Sequence, residues 1–102
     1  MSEAALERTE AGTLVVQGDL TFQTVPRLHA AYGEDIATGG RVALDLSGVA
    51  HTDSAGVALL VDWLRQARGA GGDLRLVNVP EQMRSIVRVS GLERLLPLSD
   101  PR

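Results

Sequence analysis

The feature that most constrains the fold is a helix pattern placed between two strand patterns. Residues 41–46 and 73–79 each alternate apolar and polar side chains, which is typical of a strand that buries one face. Residues 57–68 instead repeat apolar side chains at helical spacing. This predicted buried face consists of Val57, Leu60, Val61, Leu64 and Ala67. A crossover of about a dozen residues predicts that the two strands are parallel and that the connection is right-handed.

Shorter patterns on either side of this unit extend the predicted sheet and its helices. A turn signal at Gly18 and Asp19 is expected to end the strand before it, because both residues disfavour strands. The remaining predicted elements are strands at residues 5–8 and 13–17, helices at residues 25–37 and 81–89, and a last short helix or edge strand at residues 92–98. The expected fold class is therefore α/β, with a small mixed β-sheet and three to four helices in a single domain over residues 1–102.

Composition excludes several classes of protein. No apolar run in the 102 residues reaches the roughly 18 residues that cross a bilayer, and Met1-Ser2-Glu3 does not begin a secretory signal. We therefore expect a cytoplasmic protein that meets a membrane only through a complex. The ten basic residues are all arginines, spread along a chain of net charge -3, so no nucleic-acid partner is expected.

The junction before the best helix carries the residues of greatest chemical interest. Asp53 and Ser54 both favour the N-terminal end of a helix, where free N–H groups and the positive end of the dipole meet. One interpretation is that they only cap the helix. The other is that Ser54 is a phosphorylation site, because a phosphate there would add about two negative charges at a position that favours anions.

Catalysis at the same junction is disfavoured by geometry. His51, Asp53 and Ser54 are too close in sequence to adopt the arrangement in which a base holds a nucleophile and a third group orients that base. The chain has no cysteine and only one further histidine, His29, so no metal site is expected. No glycine-rich strand-to-helix loop is present, so no cofactor and no enzymatic activity are expected.

The central segment resembles a known family. LDLSGVAHTDSAG, followed by an apolar helix, is similar to the STAS domain shared by sulfate transporters and anti-sigma factor antagonists. The resemblance implies the STAS fold. In the antagonists the serine of the Asp-Ser-x-Gly motif is phosphorylated by a partner anti-sigma kinase. Ser54 matches that serine, and Asp53 matches the carboxylate beside it.

Within that family the chain most resembles the cytoplasmic STAS subunits of Mla-type phospholipid ABC transporters. The similar features are the helix VALLVDWLRQA and the ending SGLERLLPL. This resemblance implies a subunit that docks on the transporter ATPase and supports assembly and activity of the complex. The alternative implied by the family is an anti-sigma factor antagonist that binds a kinase and is switched at Ser54.

The best helix also predicts where a partner would bind. Leu59 and Trp63 lie four residues apart, away from the predicted buried face, and a two-layer domain is not expected to bury both faces of one helix. Exposed large apolar side chains mark partner sites, and tryptophan is enriched at binding hot spots. Unless a neighbouring helix or the tail covers Trp63, the predicted docking surface consists of Asp53, Ser54, Ala55, Leu59, Asp62, Trp63 and Gln66.

Overall fold

A computed structural model describes residues 4–96 and residue 98 of the chain. This part contains four strands and three helices, in the order β1 Ala4–Arg8, β2 Leu14–Leu20, α1 Val25–Ile36, β3 Arg41–Thr52, α2 Ser54–Gly69, β4 Asp73–Val77 and α3 Glu81–Val89. The predicted domain also takes in residues 1–3, 97 and 99–102, which lie outside the described residues.

The sheet is mixed, with strand order β1-β2-β3-β4. β1 and β2 are antiparallel, whereas the β2–β3 and β3–β4 pairs are parallel. The two parallel pairs enclose α1 and α2 as crossover helices, as the alternation of strand and helix patterns predicted. The predicted α/β class with a small mixed sheet is confirmed.

Strand β3 is longer than the sequence pattern indicated. Residues 47–52, which follow the predicted strand, continue β3 up to Thr52, where it pairs with Leu20 at the end of β2. Two register shifts along this pair give β3 an extra residue each time, and they interrupt the alternation on which the prediction relied. β2 likewise continues through Gly18 and Asp19, so the predicted break there is wrong.

The C-terminal limits of the sheet also differ from the prediction. β4 ends at Val77, two residues early, because Asn78 adopts a left-handed conformation with φ of 55°. In the predicted tail at residues 92–98, Leu96 is buried and Leu98 forms an isolated parallel bridge with Leu76. The tail therefore contacts the sheet edge at one position. Pro97 lies outside the described residues.

Helix α2 is buried on more sides than was predicted. Leu59 and Trp63 are 2% and 0% exposed, so the expectation that they face solvent is wrong. Trp63 lies only about 60° round the helix from Leu60, which is part of the predicted buried face. Asp62 and Gln66, its neighbours on the helix surface, both contact α1. A neighbouring helix in the same layer therefore covers the face that a two-layer fold was expected to leave open.

Replacement of Trp63 should therefore affect folding. We expect Trp63→Ala to lower the free energy of unfolding by about 3–5 kcal/mol, because it leaves a large cavity in the core. Trp63→Phe should cost much less, because it keeps a ring and removes the indole Nε1, which has no hydrogen-bond partner within the described residues. Urea unfolding followed by circular dichroism measures both, with Val89→Ala as the control, since Val89 is 87% exposed. A Trp63→Ala protein as stable as the control would contradict the buried position.

Candidate functional site

The strand β3 runs directly into helix α2 at the candidate site. Thr52 is the last residue of β3, Asp53 is the N-cap and Ser54 is the first helical residue. Asp53 Oδ1 accepts a hydrogen bond of 2.8 Å from the Ala55 N–H, so the predicted capping role of Asp53 is confirmed. The Ser54 side chain is exposed, which leaves its hydroxyl open to another protein.

Thr52 fixes the end of β3 against both neighbouring elements. Its side chain is buried, and Oγ1 donates a hydrogen bond of 3.0 Å to the Leu20 carbonyl at the end of β2. Its backbone N–H donates to Gln82 Oε1 of α3 at 3.1 Å. The Asp53 N–H donates to the same Leu20 carbonyl at 3.2 Å. The ends of β2, β3 and α3 are thereby held around the first turn of α2.

Gly56, the last residue of the Asp-Ser-x-Gly motif, lies in close contact with the ends of β2 and β3. A Cβ added there would lie 2.8 Å from the Leu20 carbonyl oxygen and 2.9 Å from Leu20 Cβ, and it would also overlap Thr52 Oγ1. Such distances are shorter than carbon atoms tolerate without displacement of the backbone. Only glycine at this position lets α2 begin in contact with the ends of β2 and β3.

Sequence reasoning missed Phe22 as a surface residue. Phe22 lies in the turn between β2 and α1 and is 71% exposed. Its N–H donates a hydrogen bond of 3.2 Å to Asp53 Oδ2, which places it beside the first turn of α2. A signal was available, because a lone phenylalanine between Thr21 and Gln23 has no apolar neighbour in sequence to pack with.

The turn that carries Phe22 is held by Thr24. The Thr24 hydroxyl donates to the Asp19 carbonyl at 2.7 Å and accepts from the Thr21 N–H at 3.0 Å. Thr24 is the N-cap residue of α1, but its side chain is used in the turn instead of capping the helix. Phe22 is therefore presented on a hydrogen-bonded turn, which lowers the entropy that binding would cost.

We call the exposed residues at this end of the molecule the α2 end surface. They are Phe22, His51, Ser54 and Gln82. His51 and Ser54 flank the β3–α2 junction in the chain. Phe22 is hydrogen-bonded to Asp53, and Gln82 is hydrogen-bonded to Thr52. The surface combines one apolar ring with polar groups that can donate and accept hydrogen bonds, which suits contact with a protein.

The other predicted site residues are not part of this surface. Ala55, Leu59 and Trp63 are buried, which corrects the predicted continuous docking face on α2. Asp62 and Gln66 are half-buried and belong to a polar cluster with His29 of α1. Whether these two residues contact a partner stays a prediction.

The His29 cluster ties α1 to α2. His29 Nε2 lies 2.6 Å from Asp62 Oδ2, and Gln66 Nε2 donates to the same oxygen at 2.5 Å. These hydrogen bonds, first from Gln66 and then from His29, hold the pKa of Asp62 below its ordinary value. A Cβ on Gly33 would lie 3.1 Å from Gln66 Oε1, so this glycine of α1 lies close to the Gln66 side chain.

The three junction residues considered as a catalytic group are not hydrogen-bonded as a triad. Among the described residues, His51, Asp53 and Ser54 make no hydrogen bond to one another, and Asp53 is committed to the backbone. Within the same residues no group of three His, Asp or Glu side chains is placed to hold a metal ion. In the described part of the chain, no helix is both long enough and apolar enough to cross a membrane.

Comparison with known proteins identifies similar sequences and structures. A family model described as "Mlab, STAS domain" matches residues 4–97. A STAS-domain containing protein of Pseudomonas aeruginosa (strain UCBPP-PA14) is 26% identical over 87 residues, covering 85% of this chain and 86% of that protein.

Solved structures with similar folds include anti-sigma factor antagonists. The phosphorylated form of SpoIIAA, a cell fate determinant of Bacillus, superposes with a TM-score of 0.67 at 24% identity, covering 95% of this chain and 91% of that one. An anti-sigma factor antagonist from Mycobacterium paratuberculosis gives a TM-score of 0.73 at 23% identity, covering 96% and 85%. At these identities the likeness establishes the fold.

The contact at Gly56 can be tested by adding one methyl group. We expect Gly56→Ala to lower the free energy of unfolding by about 1–3 kcal/mol, because the new Cβ overlaps Leu20 and Thr52. Gly69→Ala is a control in the same helix, where a Cβ meets nothing within 4 Å and should stabilise by up to about 1 kcal/mol. Urea unfolding measures both variants, and equal effects would show that Gly56 is not in close contact.

The Asp62 cluster predicts a pH-dependent contribution to stability. Because the folded-state pKa of Asp62 is lowered, its carboxylate stabilises the fold above about pH 4 and stops doing so as the pH falls through that lowered pKa. The side chain is 46% exposed, so we expect Asp62→Asn to cost only about 0.3–1 kcal/mol at pH 7 and less at pH 3. Urea unfolding at both pH values, with Glu34→Gln as the control, measures this. A cost that is the same at both pH values would contradict the role of the ionised carboxylate.

Proposed function

The chain belongs to the STAS domain family, and we propose that it acts as a non-enzymatic subunit that docks on the ATPase of an Mla-type phospholipid-transport ABC complex. In this role it works on the cytoplasmic side, supports assembly and activity of the complex, and reaches the membrane only through its partner. The description of the matching family model supports this choice among STAS functions.

The observation that carries the proposal is the α2 end surface. Phe22 is 71% exposed on a hydrogen-bonded turn beside Ser54, at an end of the molecule where several backbone and side-chain contacts restrict movement. Aromatic side chains are enriched at the cores of protein interfaces, and a fixed aromatic ring loses little entropy on binding. We therefore place the docking contact at this end of α2, since Leu59 and Trp63 are not available for it.

A second function is favoured by the position of Ser54. An anti-sigma factor antagonist would bind a kinase-like anti-sigma factor, and Ser54 Oγ would take the γ-phosphoryl group of ATP with release of a proton and ADP. Two observations support this alternative: the hydroxyl is exposed at the start of a helix, and the similar SpoIIAA has been solved in a phosphorylated form.

Identification of the partner separates the two functions. The tagged full-length chain should be purified from its native cells, and the proteins that co-purify should be identified by mass spectrometry. An ABC transporter ATPase supports the first function. A soluble kinase, together with ATP-dependent phosphate on Ser54, supports the second. Reproducible co-purification with neither protein would contradict both.

Affinity measurements with the identified partner test the docking surface. We expect Phe22→Ala to weaken binding by about tenfold or more, because an anchoring ring is lost. Val89→Ala is the matched control, since Val89 is also apolar and 87% exposed but lies at the far end of α3. Unchanged affinity for Phe22→Ala in calorimetric titration would remove Phe22 from the interface.

Charge at Ser54 should matter more than loss of the hydroxyl. We expect Ser54→Asp to weaken binding more than Ser54→Ala, because an added carboxylate must lose its hydration in the contact. Ser90→Asp and Ser90→Ala provide the matched pair at an exposed serine after α3. Equal effects of the two Ser54 variants would show that charge at this position has no special role.

A further inference from the structure

A single carboxylate connects the helix that carries Ser54 with the turn that carries Phe22. Asp53 Oδ1 accepts from the Ala55 N–H at 2.8 Å, and Asp53 Oδ2 accepts from the Phe22 N–H at 3.2 Å. Each oxygen therefore bonds a different element. The side chain is half-buried, so solvent only partly replaces these bonds when they break.

The bond from the Phe22 N–H to Asp53 links the Phe22 turn directly to the first turn of α2. Thr24 closes the turn through the Thr21 N–H and ties it to β2 through the Asp19 carbonyl, and the Leu20 carbonyl at the end of β2 is bonded to Thr52 and Asp53. The bond to Asp53 is the contact that Phe22 itself makes with the β3–α2 junction. Loss of this bond would leave the other anchors in place and loosen only the backbone at Phe22, so that the ring could shift locally relative to Ser54.

A phosphate on Ser54 would act directly on Asp53. The two residues are adjacent, so a group carrying about two negative charges would lie beside a carboxylate and repel it. The phosphate oxygens would also compete for the N–H groups of the first helical turn, including that of Ala55. Both effects would displace the Asp53 carboxylate from the position in which it accepts hydrogen bonds from Ala55 and Phe22.

We propose that Asp53 couples Ser54 to Phe22, so that phosphorylation of Ser54 breaks the Asp53–Phe22 hydrogen bond and loosens the backbone at Phe22. This inference rests on the second proposed function, in which Ser54 Oγ receives a phosphoryl group from ATP and ADP leaves. Phosphorylation then changes the α2 end surface in two ways. It adds charge at Ser54, and it makes the position of the aromatic ring beside that residue less fixed.

The coupling is testable without a partner or a kinase. The full chain is made with phosphoserine incorporated genetically at position 54, and amide exchange with water is measured by nuclear magnetic resonance. We expect the Phe22 N–H to exchange about tenfold faster than in the unmodified chain, as for loss of a hydrogen bond to a charged group. The Thr13 N–H, bonded to Thr9 Oγ1 at 3.2 Å in another exposed turn, is the matched control and should not change.

The Asp53→Asn variant separates coupling from general loosening. Asparagine can keep the N-cap through its Oδ1, but its Nδ2 cannot accept a hydrogen bond, so this uncharged variant already lacks the bond to the Phe22 N–H. Phosphate on Ser54 should then add no further acceleration at Phe22. Unchanged exchange at Phe22 in the phosphorylated chain, or equal acceleration with and without Asp53→Asn, would overturn the proposal. Neither result depends on docking, so the proposed functions would stand or fall separately.

Discussion

The structure depends on the close contact between the first turn of α2 and the ends of β2 and β3. Thr52 Oγ1 bonds the Leu20 carbonyl at 3.0 Å, and Gly56 lies so near both residues that even one methyl group has no room. This contact sets where α2 starts and hence where Ser54 emerges at the surface. It also aligns Asp53 with the Phe22 N–H across the gap between β3 and the β2–α1 turn.

The same contact explains why the surface lies at the end of α2 and not along its side. α2 is the central helix of a single layer, with the sheet beneath it and α1 packed beside it. Leu59 and Trp63 fill the space between these elements, so they contribute to stability. The N-terminal end of α2 and the adjoining turn, in contrast, present Ser54 and Phe22 to solvent.

The sequence predicted the mixed sheet, the crossover helices and the capping role of Asp53, because each leaves a local periodic or chemical signal. It did not predict the full length of β3, since register shifts near Ser47 and Ala50 disturb the alternation of side chains. The apolar pattern of α2 alone could not predict the burial of Trp63, because that burial depends on packing against α1, which is distant in sequence. Phe22 was missed because exposure of one residue on a turn has no periodicity.

The most direct measurement of the central claim maps the interface on the chain itself. The isotope-labelled full chain is titrated with the proposed partner, the ATPase subunit of the transporter, and line broadening of the backbone amides is recorded by nuclear magnetic resonance. We expect residues 21–24 and 51–55 to broaden first, while residues 85–90 of α3 and its end stay sharp. Broadening confined to residues 85–90, with the end of α2 unaffected, would contradict a docking surface centred on Ser54 and Phe22.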